Sequence, residues 1–100
     1  MGMDRTLTFL ENKLPSWKAV ADLLTQRGLP VQMRMIDGEL AFPDEEPPVA
    51  WHELRIATSA GMITQKRNGN QVSLIIWGNA DPALLHDWEV VATAFTELGA

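Results

Sequence analysis

Two histidines, thirteen carboxylates and eight cationic side chains are the groups in this 100-residue sequence that could do chemistry. His86 lies beside Asp87 and one helical turn before Glu89, so a metal pair can be drawn there. Two such ligands on one exposed helix face do not close a site, and the solvated-face reading is preferred. His52 opens a strand beside Trp51, and no neighbour in sequence marks it as a base. No serine sits in a Gly-x-Ser-x-Gly elbow, and no glycine-rich loop carrying a lysine joins a strand to a helix. The absence of cysteine excludes a thiol nucleophile, a disulfide framework and any cysteine-based zinc or iron–sulfur site. Paired acid–base carboxylates depend on separation in space, which sequence does not show. The expectation is a non-enzymatic protein with no metal and no cofactor.

The cations point the same way. Arg55, Lys66 and Arg67 could gather on the middle strands, where a basic stripe with stacking aromatics would suggest RNA. The net charge of −5 opposes phosphate backbones and anionic lipid, so neither nucleic acid nor membrane is expected as a partner. No window approaches the roughly 20 apolar residues of a membrane span. The start, "MGMDRTLTFLENK", lacks the apolar run of a signal peptide. Gly2 with Thr6 formally fits a myristoylation pattern, but a plain start with two methionines explains it as well. Together with the missing cysteines, these features suggest the cytoplasm.

The positioning elements follow from periodicity. "TLTFLENKLPSWKAVADLLTQRG" carries Leu7, Leu10, Leu14 and Trp17, then Val20, Ala21 and Leu24, at helical spacing. Pro15 should kink or split that helix, with Ser16 capping a new start at Trp17 and Gly28-Leu29-Pro30 stopping it. "VQMRMIDGELAF" is a hairpin about a type I′ Asp37-Gly38 turn. That turn pairs Met35 with Leu40 and Met33 with Phe42, sets Val31, Met33, Met35, Leu40 and Phe42 on one face, and sends Ile36 to the other. "PDEEPP" (43–48) reads as an extended surface loop, since its acids lack calcium-loop spacing. Three further strands follow, with turns at Ala60-Gly61 and Asn68-Gly69. Two-residue turns would set Ile63 and Gln65 beside Leu54, Ile56, Val72, Leu74 and Ile76. Three-residue turns with a bulge would set Met62 and Thr64 there, and both registers stay open.

"GNADP" (78–82) reads as a strand-to-helix joint, with Asp81 as N-cap and Pro82 as first helical residue. Leu84, Leu85, Trp88, Val91 or Ala92, Phe95 and Leu98 then form one stripe. The fold expected is a single α+β domain over residues 1–100. It is a two-layer sandwich in which a five-stranded antiparallel meander carries the N- and C-terminal helices on one face.

That leaves the other sheet face uncovered. Alternation sends Ile75 and Trp77 there, joined by Ile36, by Met62 or Ile63, and by Trp51 ahead of its strand. Arg34, Glu39 and Arg55 border the patch. Exposed apolar patches with aromatic anchors mark contact surfaces. The residues expected to touch a partner are therefore Trp77, Ile75, Ile36, Trp51, Arg34 and Arg55. That partner is another protein or a second copy. The rival expectation is a small-molecule binder or minor enzyme with a pocket between helices and sheet. A third is an immunity or inhibitor protein that uses "PDEEPP" as its contact.

The N-terminal helix ending in Arg27-Gly28-Leu29-Pro30, the first hairpin and the final helix resemble, in architecture, class I type III secretion chaperones. The resemblance covers about the first 42 residues and the last helix, with no specific motif. It implies a homodimeric, non-enzymatic protein that wraps an extended segment of a secreted effector. The family carries a further helix within its strand series, where this sequence has the proline-interrupted "PDEEPPVAWHE".

Overall fold

A computed structural model describes residues 3–10, 14–48, 50–77 and 81–99. Among these residues the architecture is α+β, with one six-stranded antiparallel sheet and two helices. The elements are β1 (Met3–Thr8), α1 (Trp17–Gln26), β2 (Gln32–Ile36), β3 (Glu39–Leu40), β4 (Glu53–Thr58), β5 (Gly61–Asn68), β6 (Gln71–Ile76) and α2 (Pro82–Glu97). Their order across the sheet is β1-β6-β5-β4-β2-β3.

Two expectations are corrected here. The first segment is a strand, not the opening of a helix. Leu7 fits both periods, but Thr6 and Thr8 are β-branched and alternate with it, and β1 adds to the free edge of β6. Leu10, which the helical stripe would bury, is exposed, and Phe9 is buried instead. Among the described residues of that segment, the helical part is α1, after Pro15. Ser16 caps it by accepting from the Ala19 amide at 3.2 Å, and Gly28 ends it at φ +81°. There the Gly28 and Leu29 amides donate back to the Thr25 and Leu24 carbonyls.

The strands, moreover, are not a simple meander. β4 pairs with β2 rather than with β3, so the first hairpin is turned outward and the short β3 becomes an edge. The Asp37-Gly38 turn explains this. Both residues have positive φ, as a type I′ turn requires. The Asp37 carboxylate accepts from the His52 and Glu53 amides at 2.7 and 2.9 Å, and the Asp37 amide donates to the Glu53 carbonyl. The turn thus pins the start of β4 beside β2. Past Leu40 the ladder runs on briefly, with the Ala41 amide donating to the Arg34 carbonyl and the Met33 amide to the Pro43 carbonyl, before the proline-rich segment carries the chain round to β4.

β4, β5 and β6 are joined by two-residue turns at Ser59-Ala60 and Gly69-Asn70, one residue away from the expected positions. These turns settle the register. Leu54 faces Gln65, which faces Leu74, and Ile56 faces Ile63. Those side chains, with Met33, Val72 and Ile76, form the inner sheet face. Over it lie Val20 and Leu24 of α1 and Leu84, Trp88, Val91, Ala92 and Phe95 of α2. Phe9 meets Phe95 edge-on, with ring centroids 6.1 Å apart. The Trp88 indole donates to the Leu74 carbonyl at 3.0 Å. Arg5 of β1 lies over the Trp88 ring and pairs in bidentate fashion with Glu89, so the edge strand is bound to α2. Asp81 caps α2 through the Leu84 amide at 2.9 Å, with Pro82 in its first turn. The rest of the expected joint, residues 78–80, lies outside the described residues.

Candidate functional site

Both helices lie on the inner side of the sheet, so the outer face carries no second layer among the described residues. Its residues are fixed by the register. Ala57 pairs with Met62, Arg55 with Thr64, Thr64 with Ile75, and Met35 with both Arg55 and Leu40. The Trp77 indole donates to the Thr64 hydroxyl at 3.3 Å, which lays the ring over β5. Trp77, Met62, Ala57, Met35 and Leu40 form an apolar strip across five neighbouring strands, about 19 Å at the usual strand spacing. Leu40 is 88% exposed, Phe42 just beyond it 74%, Trp77 58% and Met62 43%. Half-buried Ile75 lies beside the strip, and much of the remaining outer face is polar, with Lys66 opposite Glu53 and Thr6 hydrogen-bonded to Ser73.

Charge is distributed unevenly around this strip. Arg5, Lys18 and Arg27 each meet a carboxylate elsewhere on the molecule. Arg55 lies 4.0 Å from Glu53, and its buried Nε has no hydrogen-bond partner among the described residues. Arg34 lines a groove of about 760 Å³ together with Met35, Leu40, Ala57 and Met62. An acidic protein therefore sets two guanidinium groups beside its exposed apolar side chains.

Of the six residues expected at a contact, Trp77, Ile75, Arg34 and Arg55 lie on or beside this face. Two do not. A bulge between Met33 and Met35 slips the alternation by one residue. Ile36 consequently faces Leu54 and packs on the core, while Met35 and Leu40 turn outward. Trp51 is 3% exposed, on the helix side beneath the Arg67 guanidinium at 4.9 Å. Sequence reasoning missed Leu40, Met35 and Phe42 because it assumed unbroken alternation. No local signal marks the bulge, and even Pro43, directly after Phe42, still accepts from the Met33 amide of β2.

A second cavity, about 520 Å³, lies between the start of α1, the acidic loop and the β5–β6 turn. Its polar groups are already engaged with one another. Lys18 pairs with Glu46, Arg67 stacks on Trp51, Ser16 caps α1, and the Asn70 amide donates to the Phe9 carbonyl. His86, Asp87 and Thr58 also come together. The Thr58 hydroxyl donates to Asp87 at 2.7 Å, and His86 Nδ1 lies 3.7 Å from the other Asp87 oxygen. Here the carboxylate stands between hydroxyl and imidazole, so the imidazole cannot take the hydroxyl proton as a nucleophilic triad requires. The geometry instead clamps α2 onto the β4–β5 hairpin. Among the described residues no group of three histidine or acidic side chains is placed to hold a metal ion, and no helix is long and apolar enough to cross a membrane.

Neither a family model, nor a curated protein, nor a solved structure matches this chain.

Proposed function

We propose that this chain is a non-catalytic protein-binding module whose contact surface is the outer face of its sheet. The observation that carries the reading is the joint exposure of Trp77, Met62 and Leu40 on the face the helices leave open. Antiparallel sheets ordinarily show water a polar face. Aromatic and methionine side chains gathered there supply area at low cost in ordered rotamers and adapt to a partner's shape. Arg34 and Arg55 then select the occupant. A protein surface with an apolar side chain next to a carboxylate fits the strip, the carboxylate meeting Arg34 in the groove.

Trp77→Arg tests this. The indole lies outside the core, so the variant should keep the wild-type circular dichroism spectrum and denaturant midpoint. Affinity for any partner that binds the purified wild-type protein should fall by about tenfold or more, the cost of losing an aromatic anchor. Asp22→Lys, on the exposed side of α1, should bind as the wild type does. Equal loss in both variants would remove the outer face from the mechanism, and unfolding of Trp77→Arg would place the indole in the core.

A further inference from the structure

We propose that the occupant of the strip is a second copy of this chain, docked so that Phe42–Glu45 of each copy enters the other's groove. This rests on the outer face being a contact surface. Among the described residues no carboxylate lines the groove beside Arg34, so an acidic side chain entering it would meet an opposite charge. The chain itself offers the complementary chemistry. Phe42 is among its most exposed large apolar side chains, and exposed Asp44 and Glu45 follow it within one turn. The Phe42 amide donates to Glu45 Oε1 at 3.2 Å, and the Glu45 amide donates to the Phe42 carbonyl at 3.0 Å. The ring and its neighbouring carboxylates are thus held together by the turn rather than ordered on binding.

Position favours exchange as well. Phe42 does not line its own chain's groove, although it follows directly on Leu40 and Ala41, which do. Knob and groove therefore lie at the same sheet edge, formed by the two-residue β3. A two-fold axis along that edge lets each Phe42 enter the partner groove while Asp44 and Glu45 approach Arg34 and Arg55, and the arrangement closes at two copies. The groove, about 760 Å³, admits an aromatic side chain with room left over. Burying Phe42, Leu40 and Met62 twice over gives an interface on the order of 1,000 Å² in total, at the small end of specific contacts, so a reversible dimer is expected.

The chain has no cysteine, which gives a clean background for cross-linking. Phe42→Cys and Met62→Cys are made as separate variants, mixed and oxidised, and the disulfide products are weighed by mass spectrometry. The wild type is followed by sedimentation velocity from low micromolar to millimolar concentration. Expected are a concentration-dependent dimer and a mixed disulfide, joining one Phe42→Cys chain to one Met62→Cys chain, that exceeds either symmetric product. Phe42→Ser should weaken the dimer by about tenfold or more. Arg34→Glu should weaken it too, with partial recovery in Arg34→Glu/Asp44→Arg. A chain monomeric at every concentration, a dominant symmetric disulfide between two Met62→Cys chains, or a dimer indifferent to Phe42→Ser would overturn the exchange. A strict monomer whose foreign partner is lost in Trp77→Arg overturns this inference and leaves the protein-binding reading standing. A monomer whose partners ignore Trp77 removes both.

Discussion

Gln65 is the least expected residue of the interior. It is fully buried between Leu54 and Leu74, and neither its Nε2 nor its Oε1 has a hydrogen-bond partner among the described residues. An unsatisfied buried amide costs about 1–3 kcal/mol against a hydrated one. Leucine has a similar volume and needs no partner. Gln65→Leu should therefore raise stability by about 1 kcal/mol or more, read as a higher urea midpoint at unchanged slope. A lower midpoint would mean that the amide is bonded in solution, through buried water for instance. Asp87 is the contrasting case, because it is also buried but accepts from Thr58 at 2.7 Å. Burial alone does not decide the cost of a polar side chain; its partners do.

At the scale of elements, the β2–β3 turn does more than reverse the chain. Asp37 accepts from two backbone amides of the segment that becomes β4. The amide of Glu53, then that of His52, holds its carboxyl below the ordinary value of 3.8. The folded state thus prefers the ionised form more than the unfolded chain does. The resulting stability is complete above the ordinary carboxylate range and is lost as pH falls through the lowered folded value. Asparagine keeps the type I′ turn and one acceptor oxygen but removes the charge. Asp37→Asn should lower the denaturant midpoint at neutral pH and flatten its decline in acid. A parallel acid decline in both proteins would show that Asp37 does not govern it. The same two hydrogen bonds hold the start of β4 beside β2, adding to the backbone ladder and the core contacts of Met33, Leu54 and Ile56.

For the molecule as a whole, the N-terminal segment closes the core. β1 extends the sheet at its β6 edge, and Phe9 follows with its ring against Phe95. Phe9 is 1% exposed, so Phe9→Ala should cost about 3–5 kcal/mol, a large share of the about 5–15 kcal/mol that holds a typical domain. Thermal or denaturant melts measure it, and an unchanged midpoint would make the segment a peripheral arm. On the opposite side nothing equivalent among the described residues closes the sheet. β3 has two residues, Leu40 and Phe42 remain exposed beside it, and the helices lie on the inner face alone. The molecule is thus finished at one edge and open at the other, which is where the exchange of Phe42 is placed.

The sequence by itself determined the elements whose signals are local. Ser16 and Asp81 cap helices because a short side-chain oxygen reaches an amide three residues on. Gly28, Asp37 and Gly38 take positive φ where turns demand it. The stripe of α2 emerged because one period of 3.6 runs through residues 84–98 without interruption. Tertiary structure decided the rest. Leu7 satisfied both a helical and a strand period, and only the free edge of β6 selected the strand. The bulge at Met33–Met35 has no composition of its own, yet it exchanged Ile36 for Met35 and Leu40 on the outer face. Trp51 was drawn inward because the loop after β3 crosses to the helix side before β4 begins. A candidate surface depends on which side of a sheet each residue takes. That side is fixed by pairing between distant strands, where a slip of one residue reverses every side chain beyond it.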